Sequence, residues 1–299
     1  MTRREFSRTA LAWTAASCLS RPLRAQSSNP HLTSVDTHAH IFEHRLKLAR
    51  VHRYAPTYDA TLADYLGQLD AHGIARGVLI QPSFLGVDND YLVQALLAQP
   101  QRLRGVAVVE ADASAARLTD LAGAGVVGIR LNLVGEEIPR FAAAPWTRLF
   151  QRLAELDWQV EVHREARDLP RIVGPILDAG LKVVVDHFGR PDPKLGVDDP
   201  GFRYLLQSGP GRRVWVKLSG AYRNGGNARG EAIAQAAVPL LRQSFGADRL
   251  LWGSDWPHTQ FESLTNYAAA VAAFQRWITD PAERASILQD NPRSLYRFS

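Results

Sequence analysis

From residue 35 onward the chain repeats one pattern eight times, a short apolar run followed by a longer amphipathic stretch. The apolar runs cover residues 35–39, 77–81, 103–109, 126–131, 159–162, 182–185, 214–218 and 250–252. They are continuous rather than alternating and rich in Val, Ile and Leu, as expected of parallel strands covered on both faces. The stretches between them, 61–72, 90–98, 114–122, 146–157, 169–179, 202–207, 231–245 and 264–278, read as helices. In the first of these, Leu62, Tyr65, Leu66 and Leu69 fall at i, i+3, i+4 and i+7 and form one apolar stripe. Asp120-Leu121-Ala122-Gly123 and Asp178-Ala179-Gly180 read as helix ends closed by a left-handed glycine. Eight such units predict a single parallel (β/α)8, or TIM, barrel over 35–299, preceded by a short leader over 26–34. An open doubly wound sheet is the alternative, but its usual glycine-rich phosphate loop is missing. A last helix over 282–288 is expected to pack outside the barrel.

In a barrel the C-terminal ends of all strands converge on one mouth. The first run leads into Val35-Asp36-Thr37-His38-Ala39-His40, and a strand's period of two points His38 and His40 the same way. Two imidazoles so placed can chelate one cation or grip one substrate oxygen. The second strand ends Gln81-Pro82-Ser83, the third at Glu110, and the fourth Arg130-Leu131-Asn132. The fifth ends Glu161-Val162-His163 and the sixth Asp186-His187-Phe188-Gly189-Arg190-Pro191. The seventh ends Lys217-Leu218-Ser219-Gly220, then Ala221-Tyr222-Arg223, and the eighth Gly253-Ser254-Asp255-Trp256-Pro257-His258. Polar residues cap strands in any barrel. Histidine on strands one, five and six together with aspartate after strand eight is the specific combination.

The His-x-His of strand one, Asp-His-Phe-Gly-Arg-Pro of strand six and Gly-Ser-Asp-Trp-Pro-His of strand eight resemble the amidohydrolase superfamily. More narrowly, with Tyr58-Asp59-Ala60-Thr61, residues 77–84 and Asp88-Asn89, they resemble its 2-pyrone-4,6-dicarboxylate lactonase-like branch. The resemblance implies hydrolysis of a small carboxylated lactone. His38, His40 and His187 would polarise the lactone carbonyl, and Asp255 would take a proton from the attacking water. Arg130, Arg190 and Arg223 would hold substrate carboxylates, unless they instead pair with barrel acids such as Asp186 or Glu110. Ser83 and Tyr54 are further substrate-contact candidates. Tyr222, Lys217, Trp256 and His258 line the pocket or simply pack.

Two departures from the branch matter. His163 stands where dicarboxylate lactonases tend to carry tyrosine, and Gly135-Glu136-Glu137 occupies a region where some carry a second arginine. The lost cation and added acids favour a monocarboxylate or sugar lactone. His163 also completes the superfamily's one-metal set, His38, His40, His163 and Asp255. The chain is therefore expected to work either without a metal or with one divalent ion, zinc being the best match to three nitrogens and one oxygen. That same set makes a metal-dependent decarboxylase of a small aromatic or dienoic acid the rival enzyme. A non-catalytic binder of acidic aromatics is the rival outside enzymology.

Charge narrows the partners. The net charge of +5 is concentrated in residues 1–25, which hold five arginines (Arg3, Arg4, Arg8, Arg21, Arg24) and one acid, Glu5. The remainder, 5 − 4 = +1, is nearly neutral and has no basic block of the kind that binds nucleic acid. Thr2-Arg3-Arg4-Glu5-Phe6, an apolar stretch and Ser20-Arg21-Pro22-Leu23-Arg24-Ala25 read as a twin-arginine export signal cleaved near Ala25. The protein is thus expected in the periplasm or outside the cell, without stable membrane insertion. The single cysteine, Cys18, excludes an intrachain disulfide and a cysteine-rich metal site. Oligomeric state is not legible.

Overall fold

The computed structural model describes residues 33–299. The expected export segment, Cys18 and most of the leader lie outside them. Eight strands follow one another round the sheet in chain order: β1 (Val35–Ala39), β2 (Arg76–Ile80), β3 (Leu103–Ala107), β4 (Val126–Asn132), β5 (Gln159–His163), β6 (Lys182–Val185), β7 (Val214–Leu218) and β8 (Leu250–Trp252). Every neighbouring pair is parallel. The sheet closes beyond the end of β8, where Ala39 bridges Trp256. His40 N–H donates to Trp256 O and Asp255 N–H to His38 O, both at 2.8 Å. This seam decides for a barrel over an open sheet.

The helices covering the barrel are α1 (Leu62–Ala71), α2 (Asp90–Ala98), α3 (Ala115–Gly123), α4 (Ala144–Glu155), α5 (Leu169–Asp178), α6 (Pro200–Gln207), α7 (Gly226–Phe245) and α8 (Tyr267–Trp277). Side-chain caps begin several of them: a Thr61/Asp64 capping box on α1, Ser114 on α3, Asp199 on α6 and Asn266 on α8. Each such cap contributes about 1 kcal/mol. Gly180 takes the left-handed turn after α5, with φ 84°. Gly123 does not: α3 runs on through it, and the left-handed residue is Gly125, φ 105°.

Within each strand the residues alternate. Val160 and Val162 of β5 face the helices while Glu161 and His163 face inward; Lys217 of β7 and Asp186 after β6 also point in. A bulge in β1 between Asp36 and Ala39 resets its register there. The C-terminal segment departs from expectation. A short helix, α9 (Pro281–Ala285), continues through a wider turn, Ser286–Asp290, into α10 (Asn291–Leu295). Leu295, Tyr296 and Phe298 then join Val35, Val78, Ile80, Val106, Val127, Val184, Trp215 and Leu251 in the apolar cluster that fills the barrel's lower end. The tail is a plug under the barrel, so the mouth is the open end. No helix among the described residues is long and apolar enough to cross a membrane.

Candidate active site

The mouth is built on a buried carboxylate that sequence reading passed over. Asp36 Oδ1 accepts from the backbone N–H of His38 (3.1 Å) and Ser254 (2.8 Å). Its Oδ2 accepts from Ser254 Oγ (2.6 Å) and from the hydroxyls of Tyr65 and Tyr267 (both 3.2 Å). Asp36 thus ties the end of β1 to the end of β8, holding His38 and Asp255 in one frame.

Four side chains from three strand ends meet above it. Asp255 Oδ1 lies 3.8 Å from both His38 Nε2 and His40 Nε2. The His187 ring centre is 4.8 Å from that of His38. All four side chains are buried. His40 Nδ1 is 2.8 Å from the Ile80 carbonyl, so it carries the proton and leaves Nε2 a lone pair facing Asp255. His38 Nδ1 faces both Lys217 Nζ (3.1 Å), which only donates, and Asp186 Oδ1 (3.3 Å), which only accepts; with Lys217 donating to Nδ1 the proton sits on Nε2. His187 Nδ1 meets Ser219 Oγ at 2.9 Å. The Nε2 atoms of His38 and His187 are buried without a partner. Burial pushes His40 down to about 4 and His187 to about 3, so both are neutral at pH 7.

Asp255 is held from the other side. Arg223 donates from Nε to Oδ2 (2.5 Å) and from Nη2 to Oδ1 (3.1 Å), and Tyr222 OH donates to Oδ2 (2.6 Å). Tyr222's one proton is thereby used, so His258 Nδ1, 3.1 Å away, donates to its oxygen. Burial alone would raise the proton affinity of Asp255, but the charge and hydrogen bonds of Arg223 together with the neighbouring imidazoles outweigh it and keep the carboxyl well below the usual range. The backbone is left-handed at His187 (φ 50°), Phe188 (59°), Arg190 (52°) and Asp255 (62°). Such conformations cost of order 1 kcal/mol or more each and gather where side chains must be aimed.

Not every expected group joins the cluster. His163 packs its ring 5.0 Å from that of His187 but is not in the ligand-atom group of His38, His40 and Asp255: its Nδ1 faces Arg130 Nη2 (3.3 Å) and its Nε2 faces Arg190 Nη1 (3.0 Å). Arg130 pairs with Asp186 at 3.0 Å and Arg223 with Asp255, so both arginines have protein carboxylates. Lys217 lies beneath the site, against Glu161 and 3.7 Å from Asp186. Burial and the neighbouring Asp186 push Glu161 up to about 8. Trp256 stacks on Tyr65 and is packing. Glu110 is exposed and pairs with none of these arginines.

A cavity of about 150 Å³ is lined by His40, Tyr54, Arg130, His163, Arg190 and Arg223, among others; His40 is the member of the buried cluster that reaches it, with Asp255, His38 and His187 behind the lining. Ser83 is not among its lining residues. A residue that sequence reading missed is: Arg53, from the loop between β1 and α1. A larger hollow of about 230 Å³ lies among Ser219, Tyr222, Glu231 and Trp277, but none of the three clustered histidines lines it.

A family model described as amidohydrolase matches residues 35–298. The chain belongs to the amidohydrolase family. The 2-pyrone-4,6-dicarboxylate hydrolase of Comamonas testosteroni is 34% identical over 274 residues, covering 88% of this amidohydrolase and 90% of that protein. The 4-sulfomuconolactone hydrolase of Rhizobium radiobacter is 31% identical over 278 residues, covering 87% and 89%. The crystal structure of a 2-pyrone-4,6-dicarboxylic acid hydrolase candidate from Pseudomonas putida superimposes with a TM-score of 0.85 at 47% identity, covering 90% of this chain and 99% of that one. The likeness places this amidohydrolase in the lactonase-like branch.

The family's usual divalent ion has a matching donor set here. One ligand atom each from His38, His40 and Asp255 lies within 4.8 Å of the others, and His38 Nε2 is an orphaned buried nitrogen. Loading an ion would require the His38 proton to sit on Nδ1, where Asp186 Oδ1 stands 3.3 Å away. The residues therefore fit one ion held by three protein atoms, and His163 is not a fourth.

Proposed function

We propose that this amidohydrolase opens a small lactone bearing at least one anionic group, by attack of water on the ester carbonyl. The observation that carries the reading is Asp255 facing three buried neutral imidazoles, one of which, His40, lines an arginine-rich cavity. His40 Nε2 and Asp255 Oδ1 are both acceptors, 3.8 Å apart. Together they can take the two hydrogens of one water, which holds it beside the carbonyl. Asp255 takes a proton from that water as the carbon–oxygen bond forms and returns it to the leaving oxygen when the ring bond breaks. His38 and His187 offer N–H from Nε2 to the carbonyl oxygen, where negative charge develops, once Ser219 donates to His187 Nδ1. This differs from the simple expectation, which gave His40 the same duty as His38. A divalent ion bound by His38, His40 and Asp255 would supply Lewis-acid polarisation and a more acidic water. Zinc suits the nitrogen and oxygen donors.

The decarboxylase alternative leaned on His163 as a metal ligand, and both nitrogens of that ring face arginines. The deciding experiment is acid release from anionic lactones followed with a pH indicator, on protein whose metal content is measured in the same preparation. Asp255→Asn is expected to lower kcat by about 10²-fold or more. Near-wild-type turnover in that variant, or carbon dioxide release in place of ring opening, refutes the reading. We also propose export through the twin-arginine route, on the strength of Arg3-Arg4 and the segment that follows.

A further inference from the structure

Of the four guanidiniums lining the cavity, two are already neutralised: Arg130 by Asp186 and Arg223 by Asp255. The other two are not. Among the described residues no carboxylate lies within ion-pairing distance of Arg53 or Arg190. Arg190 donates to His163 (3.0 Å) and Arg53 Nη2 donates to Asn132 Oδ1 (3.2 Å) at the end of β4, both neutral acceptors. The nearest candidate acid, Glu165, pairs instead with Arg164 at 3.3 Å. Burial and then the other cavity cations make each arginine's charge harder to hold, and Glu165, beyond ion-pairing distance, offsets this only in part. An anion entering the cavity relieves that crowding at both.

The loop that brings Arg53 here passes over Gly135. A methyl group at that glycine would stand 3.8 Å from Arg53 Cδ. Gly135-Glu136-Glu137 is the segment whose lack of arginine argued for a single-carboxylate substrate. The following glutamates are exposed and do not line the cavity. Arg53 occupies the region from another part of the chain and restores the cation.

We infer that Arg53 is a specificity-determining residue that, opposite Arg190, selects lactones carrying a second anionic group, carboxylate or sulfonate. The inference deepens the hydrolase reading and rests on it for the word lactone; the two-anion subsite itself stands on the unpaired arginines. One arginine–oxyanion hydrogen bond of 1.5–3 kcal/mol corresponds to roughly 10–100-fold in affinity.

The test uses titration calorimetry on the purified protein with benzene-1,3-dicarboxylate, benzoate and 3-sulfobenzoate, none of which can be hydrolysed. Wild type is expected to bind both dianions at least about tenfold more tightly than benzoate. Arg53→Met is expected to remove about tenfold or more of that preference, and Arg53→Lys to restore part of it, since an ammonium keeps the charge without the planar fork. Arg53 is a half-exposed loop residue, and matching thermal melts establish that the variants fold. A wild type without dianion preference, or an Arg53→Met variant that keeps it, overturns the inference while lactone turnover is unaffected as evidence for the reaction. Absence of turnover with any lactone, alongside a preference lost in Arg53→Met, overturns the reaction and upholds the subsite. If only one dianion is preferred, that arm names the second group.

Discussion

Gly220 sits where the site has no room for a side chain. Its φ is 52°, and an added methyl would stand 2.7 Å from Asp255 Oδ2 and 2.8 Å from His187 Nδ1. Ordinary contact for a carbon begins near 3.5 Å, so Gly220→Ala must displace one partner by roughly 0.7 Å. Neither partner is free to yield. Asp255 Oδ2 is held by Tyr222 and Arg223, and His187 Nδ1 by Ser219. A shift approaching 1 Å at reacting groups costs about 10²-fold, so kcat should fall by about 10–100-fold. The left-handed backbone adds about 1–2 kcal/mol of destabilisation. Gly125→Ala is the control: its φ is 105°, but its methyl would meet only Leu96 Cβ at 3.9 Å, so it isolates strain from collision. The assay is indicator-monitored lactone hydrolysis, with calorimetric melting of both variants. If Gly220→Ala keeps kcat within about threefold of wild type while melting no lower than Gly125→Ala, the packing argument for the site is wrong.

Acid should destabilise the fold before the carboxylates titrate. His40 and His187 are held at about 4 and about 3 against an ordinary 6.5, so below pH 6.5 the unfolded chain binds protons that the folded chain refuses. Stability therefore falls from pH 6.5 downward, with His40 alone contributing on the order of 3 kcal/mol by pH 4; a melting temperature flat between pH 7 and 4.5 contradicts this. Replacing Arg3 and Arg4 by lysine should retain the protein in the cytoplasmic fraction of a bacterium with twin-arginine transport, and unchanged export refutes that assignment.

Four strands, 35–39, 182–185, 214–218 and 250–252, end where the apolar runs end, because nothing but burial on both faces sets their length. The third run overshot for a specific reason. Asn89 takes the Val108 N–H with Oδ1 (3.1 Å) and its carbonyl with Nδ2 (2.8 Å), so the ladder stops at Ala107. The seventh helix begins at Gly226, five residues before expectation, where Gly-Gly-Asn-Ala-Arg-Gly reads as a loop; Gly230 instead lets the helix pack against the Ala221 carbonyl. At the site, the strand-end histidines and Asp255 were legible because a period of two and a barrel's converging ends suffice to place them. Pairing of an arginine with Asp186 was legible as an alternative, but which arginine meets which partner was not. Arg223 and Asp255 lie 32 positions apart, Arg53 and Asn132 lie 79 apart, and no periodicity connects a loop residue to the strand end it covers.

The site has to reconcile a carboxylate base with cations for an anionic substrate inside about 150 Å³. Two opposite charges 4 Å apart in a medium of effective dielectric 20 attract by about 4 kcal/mol, so an unassigned carboxylate here would capture whichever arginine the substrate needs. The chain assigns them in advance. Asp186 is given Arg130 and Asp255 is given Arg223, while Glu161, its carboxyl pushed up to about 8, is hydrogen-bonded to Lys217 below the floor. Buried pairs of this kind add little net stability, because desolvation offsets their attraction. What they provide is orientation: Asp255 cannot swing toward the mouth, and the His38 proton is directed by Lys217. With the floor neutralised pair by pair, the charge presented to an incoming ligand is that of Arg53 and Arg190. On the proposed reading, selectivity for anions would come from the two arginines that make no ion pair rather than from the total number around the cavity.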